Sequence, residues 1–137
     1  MWLGLGYGKN MENVDMVLFQ GKGDSGEISD LWSMTETMPT KDSSNDYIHQ
    51  KNQKNNGMYT FTTYRKLDTG DAKDTVIKCG EDYKMAWTVN SMTAEFAQHN
   101  RGDLFTLTTK ADCTVVLSSA VYKIMGILTA GSALLFA

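Results

Sequence analysis

Residues Trp2 to Gln20, WLGLGYGKNMENVDMVLFQ, decide how the rest of this 137-residue chain is read. Three alternating glycines, Gly4, Gly6 and Gly8, lead to Met11 and then into an apolar run ending at Phe19. Glycine at every second position of an extended segment leaves one side of the backbone bare, so a flat or bulky partner can approach closely. Met11 then stands at the rim of that cleared surface. A thioether beside open space is a candidate axial ligand for haem iron, with a histidine opposite. The ordinary alternative is a methionine filling a gap in the core, in a chain that has nine of them. GLGYG also imitates a dinucleotide loop, but such a loop needs a strand before it and a helix after it, and neither fits here.

Working outward, the length allows one domain, and 42% hydrophobic residues suffice for a core. The net charge of −3, from 13 basic and 16 acidic residues without a basic cluster, argues against a nucleic-acid partner. One proline, and many Thr, Tyr, Val and Trp residues between glycines and asparagines, favour an all-β chain. Cys79 and Cys113 could bridge, stay free or pair outside the chain. No secretory signal precedes Trp2, and a sheet that opens at the second residue is expected to begin inside a longer chain.

Leu3–Tyr7 and Val14–Gln20 read as strands joined by the polar turn 9–13, with Gly21–Gly26 as a hairpin loop and Glu27–Met34 as the returning strand. Thr37–Asn56, with Pro39, KNQKNN and His49, reads as a surface loop. Met58–Leu67 is β-branched and aromatic, hence a strand. Asp68, Asp71 and Asp74 follow in a turn; their spacing does not match a Ca²⁺-binding loop and suits hydrogen bonds to their own backbone. Tyr83, Met85, Trp87 and Val89 alternate with polar or small residues as in a half-buried strand. FAQHNRG, residues 96–102, presents His99 just before a glycine that lets the chain return, and Leu104–Thr109 is the last strand. Met85, Trp87, Phe105 and Leu107 are the expected core.

The composition then changes. Val115–Ala137 holds a single charge, Lys123, and as a helix would be roughly 35 Å long, enough for a bilayer core of about 30 Å. The expected organisation is therefore a sandwich domain over residues 1–112 and a hydrophobic segment over 113–137, acting as a membrane anchor or a removable anchor signal. A buried C-terminal helix is the alternative.

The residues now laid out resemble the DOMON family, the β-sandwich module of dopamine β-monooxygenase-like proteins and of the cytochrome domain of cellobiose dehydrogenase. The resemblance runs from Trp2 to about Thr109. It rests on the W-x-G-x-G-x-G-x-x-M-x-x-x-D of Trp2 to Asp15, YRKLDTGDAKD of Tyr64 to Asp74, the Trp87 strand and HNRG of His99 to Gly102. It implies an immunoglobulin-like antiparallel β-sandwich. Family strands that precede the Trp-Gly segment are missing, so the module is expected to be truncated at its N-terminus, with one sandwich edge unfilled.

Family cytochromes hold haem b between a Met and a His, and the matching positions are Met11 and His99. The resemblance thus implies a membrane-anchored, extracellular or lumenal haem-b module that passes single electrons to a redox partner, without catalysis of its own. Gly4, Gly6 and Gly8 would clear the face for the macrocycle, and Trp2, Tyr7 and Phe96 would wall it. Met11 and His99 are expected at the same end of the fold, facing a common gap. The alternative is a cofactor-free DOMON module that binds a small ligand such as carbohydrate, or a protein. A hydrolase is disfavoured, since no nucleophile is arranged with a base and no metal-ligand spacing is present.

Overall fold

The computed structural model describes residues 1–117 and 133–136, with backbone alone described for 49, 50, 58, 115–117 and 133–136. The strands are β1 (Trp2–Gly6), β2 (Val14–Lys22), β3 (Ser25–Ser33), β4 (Thr40–Lys41), β5 (Ile48–Asn55), β6 (Met58–Arg65), β7 (Asp82–Asn90), β8 (Arg101–Thr109), β9 (Val115–Leu117) and β10 (Ala133–Phe136). They form a seven-stranded sheet in the order β4-β3-β2-β1-β7-β8-β9 and a three-stranded sheet in the order β10-β6-β5. Every pairing is antiparallel except β10 on β6. The all-β expectation holds. β1 is central rather than at an edge, paired with β2 on one side and β7 on the other.

Side chains on a strand alternate between faces, so the register sorts the large sheet into two faces. The inner face carries Leu3 and Leu5 of β1 opposite Phe19 and Val17 of β2, with Ile28 opposite Phe19 on β3. Across β7 and β8 it continues through Trp87, opposite Leu5, then Met85 opposite Phe105 and Tyr83 opposite Leu107. Met85, Phe105 and Leu107 are buried, with Leu5, Tyr7, Tyr83 and Trp87 packed against them. The expected core is therefore in place.

The small sheet covers one part of this face. Phe61 of β6 meets Phe19 with ring centroids 5.5 Å apart, and Tyr59 stacks on Phe61 at 6.1 Å. Gly21 and Gly26, opposite each other in β2 and β3, make room for these rings. A Cβ on Gly21 would stand 2.6 Å from the Tyr59 ring, and one on Gly26 would collide with Phe61. The loop expected over Gly21–Gly26 is thus mostly strand, turning only at Gly23-Asp24, where Gly23 takes φ 57°.

Two further expectations are corrected. The surface loop expected over Thr37–Asn56 contains β4 and β5, because Asn56 (φ 51°) and Gly57 (φ 78°) make the left-handed pair of a tight hairpin that returns β5 onto β6. β5 is an edge strand rich in Lys and Asn, so it lacks an apolar alternation. The helix expected over Val115–Ala137 is not what its described parts show: Val115–Leu117 pairs with β8 and Ala133–Phe136 pairs with β6. Residues 118–132 and 137 lie outside the described residues. Among the described residues no helix is long and apolar enough to cross a membrane. Cys79 and Cys113, left open by sequence, are bridged across a separation of 34 residues.

Candidate functional site

The outer face of the large sheet is floored by small residues. Gly4 lies opposite Thr88, which lies opposite Gly102; Gly6 lies opposite Ala86, which lies opposite Leu104. Over this floor sits a cavity of about 560 Å³, within the roughly 300–1,000 Å³ range of small-molecule sites. Gly6, Ala86, Thr88 and Gly102 line it from below, and Trp2, Met16 and Phe96 from the side.

Two loops bring the candidate ligands to it. The first, between β1 and β2, carries Met11. It is pinned where Ser33 Oγ donates to the Met11 carbonyl at 2.6 Å, and Asn13 takes φ 51° to enter β2. The second, between β7 and β8, carries Phe96 and His99. Gln20 and Asn90, on either side of Trp2 in the sheet, hold it down: Gln20 Nε2 donates to Ala94 O and Asn90 Nδ2 to Gln98 O, each at 2.8 Å. Asn90 Oδ1 also accepts the backbone N–H of Met92. Phe96 then meets the Trp2 ring edge-on at 5.1 Å. Met11 and His99 both line the cavity so formed.

The other sequence candidates divide. Trp2, Gly6 and Phe96 line the cavity with them. Gly4 shares that face, but a Cβ there would meet Thr88 Oγ1 at 3.0 Å and the Trp2 ring at 3.7 Å, so its bareness admits protein side chains. Gly8 likewise gives way to Val14, whose Cγ2 would stand 2.8 Å from an added Cβ. Tyr7 is not a wall. One residue past the end of β1, it continues the alternation of Leu3 and Leu5 onto the inner face, where its ring lies 5.3 Å from the Arg65 guanidinium. Met38 and Leu104, which sequence reasoning passed over, also line the cavity and are 56% and 48% exposed. Leu104 was legible as the outward residue of β8; Met38 gave no signal.

The inner face has a polar centre of its own. Arg65 is fully buried between the Tyr7 and Tyr47 rings, donating from Nη1 to Asp15 Oδ2 at 2.8 Å and from Nη2 to Thr75 O. Burial works against its cation, yet Tyr47, Asp15 and Tyr7 together hold its pKa above the ordinary value. Burial pushes the Asp30 carboxyl up to about 7 against the backbone N–H of Asp46, with Asp74 and Asp15 adding to the rise. This is what YRKLDTGDAKD supplies: a buried arginine, turns in which Asp68 and Asp71 accept backbone N–H groups, and Asp74 beside Asp15 and Asp30.

The cavity suits a flat, largely apolar group. Most of its lining is apolar or small, with Lys9, Asn10, Glu36, Gln98 and Asp103 also on it; it offers the thioethers of Met11, Met16 and Met38 and the imidazole of His99, and the buried Trp2 Nε1–H has no partner among the described residues. That indole could donate to an acidic substituent. These residues fit haem b.

The DOMON domain family model matches residues 1–100. Among solved structures, the cytochrome b domain of pyranose dehydrogenase from Coprinopsis cinerea superposes with a TM-score of 0.61 at 13% identity, covering 96% of this chain and 72% of that one. The cytochrome domain of Myriococcum thermophilum cellobiose dehydrogenase gives 0.51 at 13% identity, covering 95% and 68%. No curated protein matches the sequence.

Proposed function

The chain belongs to the DOMON family, and from that premise we propose that it is a haem-b module for single-electron transfer, in which Met11 and His99 would hold the iron. The observation that carries this reading is that both residues, from loops at opposite ends of the domain's sequence, line one cavity over a floor of small residues. Both solved neighbours are cytochrome domains, which supports the reading at the level of fold. Haem b, if bound through a thioether and an imidazole, would supply a reversible one-electron couple. The chain's own residues do the rest. Met16 and Phe96 exclude water from the apolar side. Gly6 and Ala86 keep the floor flat, and Trp2 Nε1–H provides a hydrogen-bond donor. Exposed Met38 and Leu104 leave an apolar mouth that a redox partner can reach.

The Cys79–Cys113 bridge favours an oxidising, extracytoplasmic compartment. Attachment to a membrane is not part of the proposal, because the described ends of the segment expected to form an anchor helix are strands.

Addition of haemin to purified protein tests the assignment. A sharp Soret band that shifts on reduction is expected. Met11→Ala and His99→Ala should each lose the six-coordinate spectrum, while Lys54→Ala on the small sheet should keep it. Protein that stays colourless, or variants whose spectra match the parent, would remove haem and leave a ligand such as carbohydrate as the occupant to be sought.

A further inference from the structure

We propose that the carboxylates of Asp15, Asp30 and Asp74 hold a calcium ion between the two sheets, at a site separate from the haem cavity. The three residues come from β2, β3 and the loop after β6. Asp15 and Asp30 are diagonal neighbours on the inner face, since Val17 is opposite Asp30 and Asp15 opposite Trp32. One carboxylate oxygen from each of the three lies within 4.8 Å of the others. A cation with Ca–O bonds of about 2.3–2.6 Å brings its ligands to this separation.

What singles the cluster out is its unused oxygens. Asp15 and Asp30 are 2% and 3% exposed. Asp15 Oδ2 is committed to Arg65 and to the Thr75 N–H, and Asp30 Oδ2 to the Asp46 N–H, yet Oδ1 of each has no partner among the described residues. Among the described residues Asp74 Oδ2 also has no hydrogen-bond partner, its 3.9 Å contact with Arg65 Nη1 being too long for one. Buried polar atoms are rarely left this way without water or an ion. The charge agrees: when all three carboxylates are ionised, as ligands of a cation are, they leave two negative charges against one guanidinium, which one divalent cation neutralises. All the donors are hard oxygens, and a buried, irregular site favours Ca²⁺ over Mg²⁺, which requires near-octahedral geometry and keeps its waters.

A second trio, Asp42, Asp71 and Asp74, is equally close but differently spent. Asp42 Oδ1 holds Lys73 Nζ at 2.9 Å and Asp71 Oδ1 holds the Lys73 N–H at 2.9 Å, so two of its members are already engaged. It makes the control.

The test is calcium titration of the full chain after EDTA treatment, read by calorimetry and thermal unfolding. Terbium(III) luminescence excited through Tyr7 and Tyr47, which flank Arg65, is a second reading. One ion per chain is expected, with a Kd of about 1 mM or tighter, the range of extracellular calcium modules, together with a rise in Tm and displacement of terbium by calcium. Asp30→Asn should weaken binding at least about tenfold, while Asp71→Asn, which keeps its acceptor oxygen, should bind as the parent does. Should Asp30→Asn not fold, Asp74→Asn takes its place. Absence of binding to the parent protein at about 10 mM Ca²⁺, well above the Kd of such modules, would overturn the proposal. Equal losses in Asp30→Asn and Asp71→Asn would do so as well.

Discussion

The two faces of the seven-stranded sheet are built from the same strands and do opposite things. On the inner face, Leu3, Leu5, Val17 and Phe19 meet the second sheet, and the strongly polar groups are gathered into one buried centre where Arg65 pairs with Asp15 beside Asp30 and Asp74. On the outer face, at alternate positions of the same strands, small residues lie side by side and leave a cavity. A one-residue slip in the register of β1 would exchange these roles, because the strand repeat is two. Alternation therefore separates a face that carries stability from one free to carry a ligand. Substitutions on the two faces should separate in the same way.

The largest effect is expected on the inner face. Arg65→Met removes the partner of a buried Asp15 carboxylate, and stranding such a charge costs about 3–5 kcal/mol. Urea unfolding should show this loss, and Asp15→Asn combined with Arg65→Met should recover part of it, since the coupled pair is then gone as a whole. A combined loss equal to the sum of the two single losses would mean that the pair does not act as a unit. Next comes a constraint that belongs to neither face. The Cys79–Cys113 bridge closes a separation of 34 residues, and Cys79→Ser with Cys113→Ser should cost about 3–4 kcal/mol in the chain-entropy account. Equal unfolding midpoints with and without a reductant would contradict it.

Much of this division could be read from the sequence, and the failures have physical causes. Trp2, Gly4 and Gly6 against Leu3 and Leu5 is a plain period-two pattern, as is Tyr83, Met85, Trp87 and Val89. Tyr7 was misjudged by grouping it with the glycines around it, when the same period assigns it to the inner face. β5 was missed because an edge strand with Lys51, Gln53 and Lys54 exposed has no apolar face to betray it; Asn56-Gly57 was the available signal. Nothing local in the sequence announces that Arg65 reaches Asp15 across 50 residues, or that Asp30 joins them. Such contacts depend on the packing of two sheets. Met11 and His99 were picked out by resemblance and by the glycines, whereas Gln20 and Asn90, which hold the His99 loop, looked like ordinary strand polar residues.

A smaller effect, of a different kind, is expected from the floor of the cavity. Ala86→Leu adds bulk where Gly6 and Ala86 keep the surface low. Because the cavity can take the added carbons, stability should change by no more than about 0.5 kcal/mol. Haemin affinity should fall at least about tenfold, or about 1.4 kcal/mol. If affinity is unchanged while stability drops, the residue is a packing element and the outer face is not the site.

The smallest effect concerns the surface ion pairs at the far end of the outer face. Glu27 accepts from Lys41 Nζ at 2.6 Å and Lys22 Nζ at 3.0 Å, distances on either side of the 2.8 Å between Arg65 and Asp15. Its environment is the reverse: the Glu27 side chain is 38% exposed and the Lys41 side chain 67%. The hydrogen bond from Lys41, then that from Lys22, lowers the Glu27 pKa from an ordinary 4.5 to about 2. Because the folded-state pKa is the lower one, the contribution is present above about pH 4.5 and is lost as pH falls through about 2. Solvent screening limits it to roughly 1 kcal/mol at most, and added salt should reduce it further. The check is the difference in unfolding free energy between the parent and Glu27→Gln. That difference should be greatest near neutral pH, shrink toward pH ~2 and narrow in high salt. A difference as large as that of Arg65→Met, or one indifferent to salt, would show that contact distance and not burial sets the strength of these pairs.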